Sequence, residues 1–356
     1  MQYFFDLQLG EFNRRRWKMK RTQSALTALL TLFAASYFTS GVTQAEEKPH
    51  VIIGYEEAID PFMVSMAEHM FERNMNADVQ YKMFSSGPAA MAALASNSLS
   101  FMCVIGIPPV VTAIAQGLPM TIVYNQERYI DAAGIVVKPE SGIKDVSALQ
   151  GKKIAIVAGS QASFELATFL AEAHVPYSSV TQINMAPPQM RTSWVTGAID
   201  AAIVWDPVFT TLREAGGKVI KNDGDLPREA SSYNVCIANA GWAKAHPALV
   251  RGFVAAMDQG YQMTMKERDK AVADMARVMG VTVPVAQSEL AGYELFSGAD
   301  QTTPKVMGRG TGVTSSPTYK TLVNTAKVLN SIGRIQSVPV SFEKNVAPQY
   351  TEFLAH

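Results

Sequence analysis

The stretch from Leu149 to Pro207 carries the residue types best suited to gripping a small charged molecule. Lys153 to Val157 has the apolar pattern of a short strand. Ala158, Gly159 and Ser160 read as a turn, and Gln161 to Ala173 has helical apolar spacing. A strand that passes through small residues into a helix leaves backbone N–H groups free at the helix start. Such a turn binds an anion without a formal positive charge. Ser160, Gln161 and Ser163 add polar side chains there, and Gly159 lets the backbone come close. A later apolar run, Ala201 to Trp205, ends in Asp206-Pro207. A carboxylate and an indole therefore sit at a strand's carboxyl end, where open α/β sheets hold ligands. Asp206 could pair with a cationic group beneath the ring face of Trp205. It could equally cap the next helix, with Pro207 in the first turn. Both roles coexist only if one carboxylate oxygen stays free.

Two further turns offer the same anion chemistry, Ser85-Ser86-Gly87 and Gly106-Ile107-Pro108. Any one of the three is ordinary helix capping. Three in one chain, two of them rich in hydroxyls, point to an anion-binding cleft. Glu56 and Glu57 follow the first strand, and one of them can face that cleft, with Glu57 the choice here. Tyr55, Phe164, Tyr233 and Asn234 are candidate walls, with core packing the default for the aromatics. Lys138 and Arg191 read as surface residues. Catalytic patterns are missing: the sequence has no Gly-x-Ser-x-Gly elbow, no phosphate-binding Walker loop and no His-Glu-x-x-His. The late Gly308-Arg309-Gly310-Thr311-Gly312 run is a weak signal, and no cofactor or metal is expected.

The elements that must position these residues come as two βα series. In the first, strands are expected at Val51–Gly54, Asp78–Phe84, Leu99–Ile105 and Leu118–Tyr124. Helices are expected over 62–74, from Ser86 through Ala95, and from Gly106 to Gln116. That order implies a parallel sheet with helices on both faces. The second series runs from a strand at Asp131–Lys138 to about Val219. One more strand, Tyr233–Ala238, precedes a helical tail over 249–264, 266–279, 285–293 and 318–332. The reading is an α/β chain of two lobes around a cleft, with lobe 1 over 46–131 and 232–356 and lobe 2 over 132–231. Small ligands favour such clefts.

The 356 residues carry 31 basic and 31 acidic side chains, with no basic run after the N-terminus, so nucleic-acid binding has little support. Lys18, Lys20 and Arg21 precede an apolar run from Ala25 to Phe38 and a small-residue end at Ala45. This is the layout of a secretory signal with cleavage after Ala45, preceded by a leader extension whose true start reads as Met19. The two cysteines, Cys103 and Cys236, sit in strand-like apolar runs. They could pair in an oxidising compartment if those strands adjoin, but the expectation is two buried free thiols.

Beyond these readings, several segments resemble the periplasmic substrate-binding proteins of ABC transporters, in the taurine and alkanesulfonate group related to thiamine-precursor binders. They are Tyr55 to Pro61, Phe84-Ser85-Ser86-Gly87 with Ala92 to Ser96, and Leu149 to Ala155, then Pro187-Pro188 with Trp194, Gly197 to Trp205, and His246-Pro247. The resemblance spans about residues 50 to 355. It implies a type II binding-protein fold, two doubly wound lobes with two hinge crossovers, that delivers a small sulfonate, taurine first, to a membrane permease and its ATPase. A periplasmic monomer is expected. The implied ligand contacts are Glu57, Ser85, Ser86, Gly87, Ile107, Ser160, Gln161, Ser163, Trp205, Asp206, Tyr233 and Asn234. Other sulfonates, a sulfate ester, a nitrate-like anion or a pyrimidine are alternative ligands, and a thiamine-precursor enzyme is the alternative from another class. Three positions depart from the family pattern: Asn234 and Ser85 where relatives usually carry Asp, and Asp206 where some carry a neutral residue. Intact-mass analysis of the secreted protein should show Glu46 as the first residue; a retained leader would defeat the secretory reading.

Overall fold

The structure, a computed structural model, describes residues 47–355. The leader read over 1–45 lies outside the described residues. In chain order the first elements are β1 (His50–Tyr55), α1 (Pro61–Ala67), α2 (Met70–Met75), β2 (Asp78–Met83), α3 (Gly87–Ala95), β3 (Phe101–Gly106), α4 (Ile107–Ala115) and β4 (Met120–Tyr129). The middle of the chain forms β5 (Ala133–Val137), β6 (Lys153–Ile156), α5 (Gln161–Glu172), β7 (Thr181–Asn184), α6 (Pro187–Thr196), β8 (Ala201–Trp205), α7 (Val208–Glu214) and β9 (Lys218–Asn222). The remainder forms β10 (Tyr233–Asn239), α8 (Ala240–Ala245), α9 (Pro247–Lys266), α10 (Arg268–Met279), α11 (Val283–Leu290), β11 (Tyr293–Leu295) and α12 (Pro317–Ser331). No helix among the described residues is long and apolar enough to cross a membrane.

Two sheets result. One has the order β11-β4-β10-β3-β1-β2, the other β7-β6-β8-β5-β9. β1 pairs in parallel with β2 and β3, as the βα order requires. The first sheet nevertheless departs from the expected all-parallel arrangement. β10 lies between β3 and β4 and runs antiparallel to both, and β11 adds an antiparallel edge. In the second sheet β6 is parallel to β7 and β8, while β5 is antiparallel to β8 and β9. The chain passes between the sheets twice, once after β4 and once between β9 and β10. The two passages lie side by side: Gly224 N–H donates to Ile130 C=O at 2.9 Å, and Asn222 Nδ2 donates to Asp131 Oδ1 at 3.1 Å.

Each sheet is covered by helices on both faces. On the first, Phe62, Phe71 and Phe253 pack against Phe101, with the Phe101 and Phe253 rings stacked at 4.0 Å. Its other face takes Ala90, Val110, Leu322 and Leu329 from α3, α4 and α12. On the second, Leu166 and Phe169 of α5 cover one face and Met190, Trp194 and Phe209 the other. The helix expected over 62–74 is broken at His69, which has φ 53 in the left-handed region. The break gives α1 its own packing on α9. There Gly260 admits Ser65, whose Oγ donates to Ala256 C=O at 2.8 Å. The helix expected to end at Tyr293 stops at Leu290, because Tyr293–Leu295 instead pairs with β4.

The cysteines correct the free-thiol expectation. Cys103 and Cys236 form a disulfide between β3 and β10. Strand order explains it: two strands 133 residues apart in sequence become hydrogen-bonded neighbours, and their inward residues meet. A bond that closes so long a loop removes much of the unfolded chain's freedom. Replacing both cysteines with alanine should lower the unfolding free energy by up to about 5 kcal/mol in urea titration, the chain-entropy limit for such a loop.

Candidate functional site

Two adjoining cavities open at the carboxyl ends of the strands. The first is narrow, about 20 Å³, and is lined by Glu56, Glu57, Gly87, Val104, Gly106, Pro109, Tyr129, Ser160, Gln161, Trp205 and Asn234. The second holds about 80 Å³ and shares Glu56, Glu57 and Trp205 with the first. It adds Ser85, Phe84, Pro187, Pro188 and Asp206. Three helix starts therefore converge on the first cavity: Gly87 opens α3, Gly106 precedes α4, and Ser160 and Gln161 open α5. The sequence dictates each one. Every turn follows a strand, and small residues keep the backbone accessible. Gly87 has no room for a side chain, since a Cβ there would lie 2.7 Å from Pro109 Cγ and 2.8 Å from Ile105 Cγ1. Gly159 has φ +78, which the turn into α5 requires and glycine adopts freely.

The structure brings eight of the twelve expected residues to the two cavities, and Ile107, Tyr233, Ser163 and Ser86 it does not. Ile107 is buried in the core beneath α4. Tyr233 is buried with its hydroxyl donating to Arg228 C=O at 2.9 Å. Ser163 accepts from Gly159 N–H at 2.9 Å and donates to Val157 C=O at 3.2 Å, so it shapes the turn and does not line the cavity. Phe164 is likewise core, and Tyr55 packs on Phe62 at 5.7 Å. Ser86 caps α3 by backbone geometry, and its hydroxyl makes no hydrogen bond among the described residues. Ser160 donates to Val157 C=O at 2.7 Å while capping α5. Lys138 pairs with Glu140 at 3.2 Å, and neither it nor Arg191 lines either cavity. The Gly310–Ser315 turn also lies outside both.

The carboxylates divide by environment. Glu56 is buried, yet its side chain makes no hydrogen bond among the described residues, and burial pushes its carboxyl well above the usual range. Glu57 is half-buried. Asp206 takes the capping role: Oδ1 accepts from Thr210 N–H at 2.8 Å in the first turn of α7, while Oδ2 is buried without a partner. Burial raises its pKa to about 6 against the pull of those Thr210 bonds. Behind it stands Glu289 of α11, raised to about 8 by burial and by the nearby Asp206 charge. Neither cavity is lined by a lysine or arginine.

A buried polar network supports the first cavity from beneath. Tyr129 Oη donates to Asn234 Oδ1 at 3.0 Å, and Asn234 Nδ2 donates to Glu127 Oε1 at 2.6 Å. Gln126 Nε2 donates to Asp60 Oδ2 at 2.5 Å, and Gln126 Oε1 accepts from Val104 N–H at 2.8 Å. Burial raises both Asp60, to about 7, and Glu127, and each lies against the other. The departure at Asn234 follows from this packing: an aspartate there would set a third carboxylate against Glu127. Tyr129 and Val104 were not legible as site residues. The strand expected to end at Tyr124 continues five residues further, through the polar run Asn125-Gln126-Glu127-Arg128. The signal was hidden because those polar residues are buried by one another.

Three comparisons bear on this geometry. A family model described as NMT1/THI5 like matches residues 71–271. The taurine-binding periplasmic protein of Escherichia coli (strain K12) is 25% identical over 335 residues, covering 92% of this chain and 100% of the relative. Among solved structures, the periplasmic aliphatic sulphonate binding protein SsuA from Escherichia coli superposes with TM-score 0.69 at 21% identity, covering 85% of this chain and 99% of that one. The alkanesulfonate-binding protein SsuA from Xanthomonas axonopodis pv. citri, bound to MOPS, gives TM-score 0.71 at 21% identity over 85% of this chain and 99% of that one. The resemblance read from the sequence, and the α/β fold class it implied, are borne out by these matches.

A pH test follows from Asp206. Its folded-state pKa, about 6, lies above the ordinary aspartate value of 3.8, so the folded protein holds more protons than the unfolded chain between those values. Its contribution to stability therefore falls as pH rises through that window. Asp206→Asn, which keeps the acceptor for Thr210, should remove about 2 kcal/mol of this decline, read as the difference between urea unfolding curves of the two proteins from about pH 4 to about pH 6.5.

Proposed function

The chain belongs to the NMT1/THI5-like family, and from that premise we propose that it is the periplasmic solute-binding component of an ABC importer, with taurine as its ligand. The observation that carries the ligand assignment is Glu56. It is a buried carboxylate with no hydrogen bond among the described residues, and it lines a cavity shared by three helix starts and by no basic side chain. An anion there is held by neutral N–H groups alone, and the nearby carboxylates call for a cationic group on the same molecule. An aminosulfonate carries both.

In this reading the sulfonate takes the N–H groups at the starts of α3, α4 and α5. The ammonium goes to Glu56, with Glu57 beside it and Gln161 Oε1, which has no partner, as a further acceptor. Trp205 covers the short chain between the two ends. Asp206 adds negative charge from the second cavity. Residues 46–131 with 232–356 and residues 132–231 act as two lobes that close on the ligand, with the side-by-side passages as the hinge. Closure excludes water, which strengthens each hydrogen bond and each charge contact inside. The closed form is the shape a membrane permease reads, selected because the ligand binds it better than the open one. The sequence likeness to a taurine-binding periplasmic protein supports the same assignment and location.

The test is a thermal-shift comparison of taurine with ethanesulfonate, which has the same anion and no ammonium. Taurine at 100 times its dissociation constant should add about 2.7 kcal/mol to the unfolding free energy, and ethanesulfonate far less. Glu56→Gln should abolish that difference. Equal shifts from both ligands would remove Glu56 from ammonium recognition and leave a general sulfonate binder.

A further inference from the structure

At the second passage between the sheets, four buried side chains meet on one oxygen. Ser232 Oγ lies 2.5 Å from Gln161 Nε2, 2.5 Å from Glu165 Oε1 and 2.5 Å from Asp223 Oδ1. Asp223 directly follows β9, Ser232 directly precedes β10, and Glu165 and Gln161 lie on α5. Asp223 and Ser232 are fully buried, Glu165 almost so, and Gln161 reaches from this cluster to the wall of the first cavity.

Hydrogen-bond counting fixes the proton content of the cluster. A hydroxyl has one proton to give and two lone pairs to receive. The Gln161 amide fills one lone pair, and the Ser232 proton satisfies one carboxyl group. The third contact is a hydrogen bond only if the other carboxyl carries a proton of its own. With both acids ionised, one carboxylate oxygen would face the hydroxyl oxygen at hydrogen-bond distance with nothing between them, inside a region closed to water.

We propose that Glu165, Ser232 and Asp223 hold one shared proton that positions the Gln161 amide in the ligand cavity, making ligand affinity depend on that proton. The proposal rests on the first cavity being the ligand site. Gln161 Nε2 is anchored on Ser232, so its unpartnered Oε1 is the end left for the ligand. Loss of the proton drives one carboxylate away from Ser232 and frees the amide. The groups that face the pair do not replace it. From β4, Arg128 lies near Asp223, but its Nε donates to Glu294 at 3.0 Å and its Nη1 to Ser231 Oγ at 3.1 Å. Tyr129, also on β4, faces Asp223 with a hydroxyl already committed to Asn234. Glu165, Ser232 and Asp223 are positioning residues, since only Gln161 reaches the cavity.

The experiment is calorimetric titration of taurine from about pH 6 to about pH 8.5 in the wild type, Asp223→Asn and Glu165→Gln, with the unfolding midpoint of each ligand-free protein over the same range. Wild-type affinity should weaken about tenfold or more as pH rises, equal to one unit of proton linkage. Either amide variant donates an N–H where the acid proton stood and should hold its low-pH affinity across the range. A flat wild-type profile, or the same slope in both variants, overturns the proposal. If taurine binds none of the proteins at any pH, the ligand assignment fails, and the cluster is judged by the ligand-free midpoints. The wild-type midpoint should then fall with pH more steeply than those of the variants, and equal slopes overturn the shared proton.

Discussion

The antiparallel insertion of β10 between β3 and β4 is the constraint on which the rest of this molecule depends. The strand comes from beyond the whole second sheet, yet it supplies the centre of the first. Its pairing brings Cys236 to Cys103 and sets Asn234 against Glu127 and Tyr129. It also seats Ser232 between Asp223 and Glu165, where the chain crosses back. Had β10 joined an edge instead, each of these contacts would be lost together. The insertion also lengthens β4, because a strand with partners on both sides can carry polar residues that hydrogen-bond one another out of water.

Around that frame the molecule gathers buried acids with little basic compensation. Glu56, Asp60, Glu127, Asp206, Asp223, Glu165 and Glu289 all have raised pKa values, with burial as the first cause in every one. Such an arrangement costs stability, and proteins tolerate that cost mainly where it serves a site. Val104 belongs to the same account. It lines the first cavity with φ 53, a conformation that β-branched residues rarely adopt, and Gln126 holds its N–H there. The cavity wall made of helix starts has the opposite character, since it carries no formal charge and no ion pair.

The departures from the family pattern make sense within this acid-rich interior. An uncharged Asn234 spares Glu127 a further like charge, and it uses both ends of its amide in doing so. Asp206 gives one oxygen to the start of α7 and buries the other without a partner. Carboxyl groups thus stand on both sides of Trp205, which borders both cavities.

Much was already legible in the residue order. The strand at Ala201–Trp205, the turns at Gly87, Gly106 and Ser160, the helical tail and the alternation of strand and helix all follow from local periodicity, capping and glycine placement, which act within a few residues. The turns that border the first cavity were legible for the same reason. Other features were decided only by the tertiary structure: the place of β10 in the sheet, the disulfide, the extension of β4 to Tyr129, and which of Glu56, Ile107, Ser163 and Tyr233 face the cavity. Strand order and side-chain facing are set by pairings between segments more than a hundred residues apart. No window of sequence contains both partners of such a pairing, so only the folded chain could choose among them.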